Sequence, residues 1–166
     1  ELDERMVKIL KERFFLFDNI EIINEDVLKL DLNDIIEKSG YKSAKIVANL
    51  PYYITTPIIM KLLEERVNLE SITVMVQKEV ADRLCAKTGT RDAGAITYAV
   101  EYYSDAREIV DVPNTSFVPM PNVSSEVINF KIRKDKYTNV KNEEMLFKVI
   151  KYAFMQRRKT LTNALQ

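Results

Sequence analysis

The sequence predicts an α/β fold with a mostly parallel sheet, and three observations lead to this prediction. Short segments rich in β-branched residues alternate with segments that have helical spacing of apolar residues. Two strand-like segments, 106–112 and 126–133, then follow one another and close the sheet. Finally, 166 residues are enough for one domain with a buried core.

The elements of the first half follow in this order. Residues 6–14 have helical spacing, and 19–23 are expected to form a short strand that leads into a polar turn with an acid at its tip. Asn33 can cap a short helix that starts at Asp34 and ends near Gly40. A buried strand over 45–50 should stop at Pro51. Thr55 and Thr56 can then cap a helix over 57–65.

The second half continues with a strand over 71–76, a helix over 77–84 and a glycine-containing loop over 88–94. Residues 95–103 fit a strand or a helix, and their small residues favour a helix. After the two closing strands, which are separated by a proline-rich loop, 143–155 should form an amphipathic helix. A basic break over 156–160 then precedes the start of another helix over 161–166.

Composition and charge exclude several classes of function. The apolar fraction of 46% and charged fraction of 30% are typical of globular proteins, and no apolar run could span a membrane, so we expect a cytoplasmic protein. Histidine is absent and Cys85 is the single cysteine, so we expect no metal site, no disulfide and no histidine-based triad. The sequence from Lys131 onward has ten basic and three acidic residues, which suggests a polyanionic partner, although a solvated helix face is the alternative.

The stretch Asn49-Leu50-Pro51-Tyr52-Tyr53 carries the most specific chemistry. It follows a strand, at the end where open α/β sheets bind ligands. A carboxamide oxygen and a backbone carbonyl can accept both hydrogens of one exocyclic amine, and a phenol ring can stack on a base. The alternative is a plain strand-end turn, with Asn49 bonded to local backbone and the tyrosines packed on the next helix.

Five stretches together resemble the ribosomal RNA adenine-N6,N6-dimethyltransferase family. In chain order they are ELD at 1–3, NEDV at 24–27, NLPYYITTPIIMKLLE at 49–64, FVPMPNVSS at 117–125 and FMQRRKTL at 154–161. The resemblance implies a Rossmann-like S-adenosylmethionine-dependent methyltransferase sheet over 1–135. It also implies that 136–166 begin a C-terminal helical, RNA-contacting domain. The sheet is expected to be incomplete, because the first strands and the glycine loop that the family carries do not precede Glu1.

The resemblance also assigns roles to individual residues. Glu1 would bind the cofactor ribose, Asp26 the cofactor adenine amine, and Val27 would pack on that ring. Asn49, Leu50, Pro51 and Tyr52 would hold the target adenosine, and Asn49 would also contact the cofactor. Phe117 would help to clamp the flipped base. Arg157, Arg158 and Lys159 would contact RNA phosphates. The simpler readings are a frayed terminus at Glu1, a turn former at Asp26, a loop anchor at Phe117 and a solvated helix start at 157–159.

The function implied is S-adenosylmethionine-dependent dimethylation of adenosine N6 in small-subunit ribosomal RNA. A large-subunit methylase of the resistance type and a DNA adenine methylase are alternatives, and Gln77-Lys78-Glu79 disfavours both. A non-catalytic RNA-binding fragment is a further alternative. Without the glycine loop, we expect weak or no cofactor binding, and we expect this chain by itself to be an inactive fragment. Unpaired strand edges should make residues 1–40 depart from the family packing or make the chain associate with itself.

Overall fold

A computed structural model of the chain describes residues 1–134 and 139–155. Within it the chain divides into two compact units, Glu1–Tyr41 and Lys42–Gln166, which are described separately below. Arg157, Arg158 and Lys159 lie outside the described residues, as does the predicted domain boundary between 135 and 136, so both remain predictions. No helix in the described ranges is both long and apolar enough to cross a membrane.

The first unit contains two helices, α1 (Glu4–Phe14) and α2 (Leu32–Ser39). The predicted cap of α2 at Asn33 is wrong, because the carboxylate of Asp31 accepts hydrogen bonds from the amides of Asn33 and Asp34. The helix therefore starts two residues before Asp34. It ends as predicted at Gly40, whose φ of 76° is the left-handed conformation that glycine adopts at least cost.

The strand predicted over 19–23 is also wrong, since this segment forms no ladder with any described residue. A β-branched pattern indicates which side chains seek burial, but a strand also needs a neighbour for its backbone groups. In the structure, the carbonyl of Ile23 accepts a single hydrogen bond from the backbone nitrogen of Glu1, at 3.0 Å.

Among its described residues, the second unit contains one four-stranded sheet in the order β1-β2-β4-β3. Its strands are β1 (Ala44–Asn49), β2 (Leu69–Gln77), β3 (Ser104–Val112) and β4 (Ser125–Ile132). Only β1 and β2 are parallel, and β4 is antiparallel to both of its neighbours, so the sheet is mixed and not mostly parallel. The reason lies in the connections. A helix crosses from β1 to β2, whereas the loop from β3 to β4 contains only a short 3₁₀ turn, Asn114–Ser116, and the two strands pair as an antiparallel hairpin.

In the described part of the second unit, four α-helices accompany the sheet: α3 (Thr55–Glu64), α4 (Lys78–Cys85), α5 (Ala95–Tyr103) and α6 (Glu143–Met155). The choice of helix for 95–103 is confirmed. The predicted start of α3 at Pro57 is two residues late, and neither Thr55 nor Thr56 caps the helix. Thr55 is its first residue and donates its hydroxyl to the Pro51 carbonyl at 2.9 Å.

The core of the second unit lies between the sheet and the helices. The fully buried apolar side chains come from α3, from α4 and from the two central strands (Ile59, Leu84, Ile72, Val74, Val76, Ile128 and Phe130). Helix α6 packs on α5, because the ring of Phe147 stacks on Tyr103 at 5.4 Å and meets Tyr102 edge-on at 5.3 Å. The hydroxyl of Tyr103 donates to Glu143 at 2.5 Å and joins the start of α6 to the end of α5.

Candidate functional site

The carboxyl ends of the two parallel strands form one edge of the sheet. Asn49, the last residue of β1, is in register with Met75, and β2 ends two residues later at Gln77. Ser125, the first residue of antiparallel β4, pairs with Gln77 at the same edge. The stretch that follows Asn49 and the loop that contains Phe117 therefore meet the sheet at one place.

Asn49 is exposed, and its carboxamide has no hydrogen-bond partner among the residues that the structure describes. The reading as a strand-end turn required a bond from this amide to local backbone, and the described residues show no such bond, so the amide is open to solvent. The neighbouring Leu50 is buried, and its amide donates to the Met75 carbonyl at 3.3 Å. This bond extends the sheet by one residue and fixes the backbone beside the amide.

The turn after Leu50 is held from two sides. The Pro51 carbonyl accepts hydrogen bonds from the Thr55 hydroxyl at 2.9 Å and the Ile54 amide at 3.4 Å. The Tyr52 hydroxyl shares a hydrogen bond of 2.9 Å with the hydroxyl of Ser125. Tyr53 is 86% exposed, so the two tyrosines do not pack together on α3.

Phe117 lies half-buried in the loop between β3 and β4. Its amide donates to the Asn114 carbonyl at 3.3 Å, and the Asn114 side chain donates to the Pro121 carbonyl at 3.2 Å, which closes the loop on itself. Val118 and Met120, on either side of Pro119, are exposed. Since this loop ends at Ser125, the bond between Tyr52 and Ser125 joins the segments that carry both predicted sides of the base clamp.

The first unit brings the predicted cofactor residues near one another. Asn24 donates its side-chain amide to the Glu1 carbonyl at 2.9 Å. One carboxylate oxygen of Glu1 accepts hydrogen bonds from the backbone amides of Asp3 and Leu2. These hydrogen bonds lower the pKa of Glu1, and the one from Asp3 has the larger effect. A frayed terminus would not form these hydrogen bonds.

Asp26 and Val27 lie in the turn that follows Asn24, and both are half-buried. One oxygen of Asp26 accepts the Leu28 amide at 2.9 Å, so Asp26 does form a turn, as the simpler reading held. That bond occupies a single oxygen. The turn-forming role and a ligand role for the other oxygen are therefore compatible.

Sequence reasoning did not single out two residues at the carboxyl edge, Lys78 and Ser125. The Lys78 ammonium donates to Asp111 at 2.7 Å and to the buried Glu126 at 3.1 Å, and these two bonds raise the pKa of Lys78. Its amide donates to the Ser124 carbonyl at 3.0 Å. The available signals were the last serine of the FVPMPNVSS stretch and a lysine placed directly after an apolar strand.

Three carboxylates have the spacing to hold an ion. One oxygen each from Asp82, Glu108 and Glu126 lies within 4.8 Å of the others, but Glu126 already accepts from Lys78. Burial raises the pKa of the nearby Cys85 thiol to about 12, so it is protonated at neutral pH and is not a thiolate ligand. The absence of a metal site stays a prediction.

Comparisons with known proteins agree on one family. The family model described as ribosomal RNA adenine dimethylase matches residues 1–166. Two curated relatives, from Lachnoclostridium phytofermentans and Alkaliphilus oremlandii, are named ribosomal RNA small subunit methyltransferase A. They are 52% and 51% identical over 99% of this chain, which spans 58% of the length of each.

Two solved structures share the fold. A dimethyladenosine transferase from Plasmodium falciparum is 26% identical with a TM-score of 0.80, over 99% of this chain and 57% of that one. The 23S rRNA methyltransferase ErmE is 22% identical with a TM-score of 0.77, over 99% of this chain and 64% of that one. The second likeness shows the fold alone.

Proposed function

The chain belongs to the ribosomal RNA adenine dimethylase family, and we propose that it forms the catalytic part of an enzyme that dimethylates adenosine N6 in small-subunit ribosomal RNA. The single observation that carries this proposal is the exposed Asn49 carboxamide, which has no partner in the described part of the chain and stands at the carboxyl edge beside Tyr52. Because the chain spans 58% of its relatives' length, the activity is proposed for a full-length protein that contains these residues.

Asn49 and Leu50 would hold the reacting amine. The carboxamide oxygen and the Leu50 carbonyl can accept its two hydrogens, which favours a pyramidal nitrogen whose lone pair points at an electrophile. Positioning raises the methylation rate because it fixes the direction of this lone pair. The hydrogen bond from the Leu50 amide to Met75 supports this arrangement by anchoring the backbone at the end of β1.

Tyr52 and Phe117 would hold the target base between them once it has left its stack. The Tyr52 hydroxyl is already bonded to Ser125, so its part is to offer a ring face and not to transfer protons. Pro51 restricts the backbone between Leu50 and Tyr52 and keeps ring and carbonyl in one orientation.

S-adenosylmethionine would supply an electrophilic methyl group when bound. The carboxylates of Glu1 and Asp26 each use one oxygen within the protein and have a second oxygen with no partner among the described residues. These acceptors fit a ribose hydroxyl and an adenine amine, and Val27 beside Asp26 offers an apolar contact for the ring. The donor set thus fits the adenosine end of the cofactor.

The methylated amine loses its proton readily to water, so the residues present need not include a strong base. This agrees with a chain that has no histidine. The names of the relatives at about 50% identity favour a small-subunit substrate over the large-subunit one, and ribosomal RNA in the cytoplasm is the partner we propose. An RNA-binding fragment without activity is the alternative for the 166-residue chain by itself, and a methylation assay on that chain tests it.

Asn49→Ala in the full-length protein should lower the methylation rate at saturating substrates by about 100-fold or more, the loss expected when one preorganised polar contact to the reacting group is removed. The rate is measured as tritium transfer to small-subunit particles. Asn19→Ala, another exposed asparagine, is the matched control and should leave the rate unchanged. A rate for Asn49→Ala within about threefold of the native value would refute the assignment.

A further inference from the structure

We propose that Ser125 is a positioning residue that fixes the Tyr52 ring for stacking on the target base, and that Lys78 holds Ser125 in place. The inference rests on the proposed function, because it concerns the same base clamp. Neither residue would touch the base, the cofactor or the reacting nitrogen.

The hydrogen bond between Tyr52 and Ser125 joins two loops that are 73 residues apart in sequence, at 2.9 Å. Ser125 is fully buried, and as the first residue of β4 it pairs with Gln77 on one side and Val112 on the other. Its hydroxyl is therefore held by the sheet. Tyr52 lies in a short 3₁₀ turn and is 36% exposed, so its ring is packed less tightly than Ser125.

This bond decides where the Tyr52 ring lies. A buried hydroxyl requires a hydrogen-bond partner, and Ser125 satisfies that need with the phenol oxygen. The ring is then tethered at its far end, and rotation about the Cα–Cβ bond, which would swing the whole ring to another place, would break the bond. Stacking on a base requires a ring that stays in one place, whereas a side chain free to change its χ1 rotamer would lose entropy on each binding event.

Lys78 binds the chain on both sides of Ser125. Its amide donates to the Ser124 carbonyl at 3.0 Å, and its ammonium donates to Glu126 at 3.1 Å. The same ammonium donates to Asp111 on β3 at 2.7 Å, so one side chain connects the start of α4 to the end of β3 and the start of β4. Glu126 is 3% exposed, and without Lys78 its charge would be buried with no cation beside it.

Tyr52→Phe and Ser125→Ala remove the same hydrogen bond, so their effects should not add. Each should raise the KM for RNA about fivefold, the factor that corresponds to one ordinary hydrogen bond, and leave the KM for S-adenosylmethionine unchanged. The double variant should show the same fivefold increase. Lys78→Ala should raise the KM for RNA at least as much as Ser125→Ala does.

Ser104→Ala is the matched control for burial. Ser104 is also fully buried, donates its hydroxyl to the Val100 carbonyl at 2.9 Å, and pairs with Ile132 at the opposite end of the sheet. It should lower the melting temperature about as much as Ser125→Ala and leave the KM for RNA unchanged. An equal change in KM from both variants would show that general destabilisation, and not positioning, is the cause.

The outcomes separate this inference from the proposed function. A 25-fold increase in the double variant, or no change in the KM for RNA with Ser125→Ala, would overturn the role of Ser125, and an unchanged KM with Lys78→Ala would overturn that of Lys78. Tyr52→Ala tests the clamp itself. If Tyr52→Ala impairs methylation and Ser125→Ala does not, only the positioning inference fails. If Tyr52→Ala has no effect on RNA methylation, the proposed clamp fails too.

Discussion

Thr55 offers a direct test of how firmly the turn after Asn49 is held. Its side chain is buried, and its hydroxyl donates to the Pro51 carbonyl at 2.9 Å. Thr55→Val keeps the shape of the side chain and removes this one donor. The Pro51 carbonyl retains the Ile54 amide as a second donor at 3.4 Å, so the substitution leaves no acceptor unsatisfied.

The expected loss is therefore the net value of a neutral hydrogen bond and not the larger cost of a buried unpaired group. That value is about 1 kcal/mol, which for a chain of this size lowers the melting temperature by about 2–4 °C. The same free energy sets an upper limit on the functional effect. If the whole free energy of this hydrogen bond normally disfavours an alternative conformation of the turn, its loss lowers the fraction of molecules with the active conformation by at most about fivefold.

Urea unfolding of the 166-residue chain measures the first quantity, and kcat/KM for RNA in the full-length protein measures the second. Thr56→Val is the matched control, since Thr56 is the next residue of α3 and is exposed. It should change neither quantity. If Thr55→Val unfolds at the same urea concentration as Thr56→Val, the hydrogen bond contributes nothing. A loss of activity well beyond fivefold would mean that Thr55 does more than hold the turn.

Three further predictions concern binding and association. Replacing Arg157, Arg158 and Lys159 with alanine should flatten the slope of log RNA affinity against log salt by about 0.7 for each lost phosphate contact, whereas an unchanged slope would identify a solvated face. The chain should associate through β1, an edge strand on which Val47 is 81% exposed, and Val47→Lys should abolish this in sedimentation velocity; a native chain that is monomeric at high concentration would contradict it. Calorimetry of the chain with S-adenosylmethionine should give weak or no binding, and micromolar affinity would show that Glu1, Asp26 and Asn49 need no glycine loop.

Local patterns predicted most elements because the residues that define them are close in sequence. The apolar run before Asn49 and the proline after it were enough to place β1, and small residues from Ala95 onward correctly favoured α5. The segment 19–23 failed for a physical reason. Its β-branched residues have strand propensity, but pairing depends on a distant neighbour that propensity does not describe.

The difference between local patterns and contacts with distant residues also explains which residues of the candidate site were predicted from the sequence. Asn49 and Tyr52 follow directly from a strand, a proline and a turn, so a local pattern predicts where they lie. Ser125 and Lys78 act through contacts with residues 73 and 48 positions away, and those contacts exist only once β4 lies antiparallel to β2. Sequence reasoning treated that strand as one more closing strand and gave it no part in the site.

The direction of β4 also constrains how RNA could use the basic part of the chain. Ser125, at the start of β4, pairs with Gln77 near Asn49, whereas Lys131 pairs with Ser71 at the opposite end of β2. Six residues of strand separate the two by about 20 Å. Lys131, Arg133 and Lys134 therefore cannot bind the phosphates next to a base held at Asn49. If these residues contact RNA, they contact a segment well removed from the target nucleotide. The substrate would then be a folded RNA that spans the sheet, and short oligonucleotides around the target adenosine should bind with a shallower salt dependence than the intact particle.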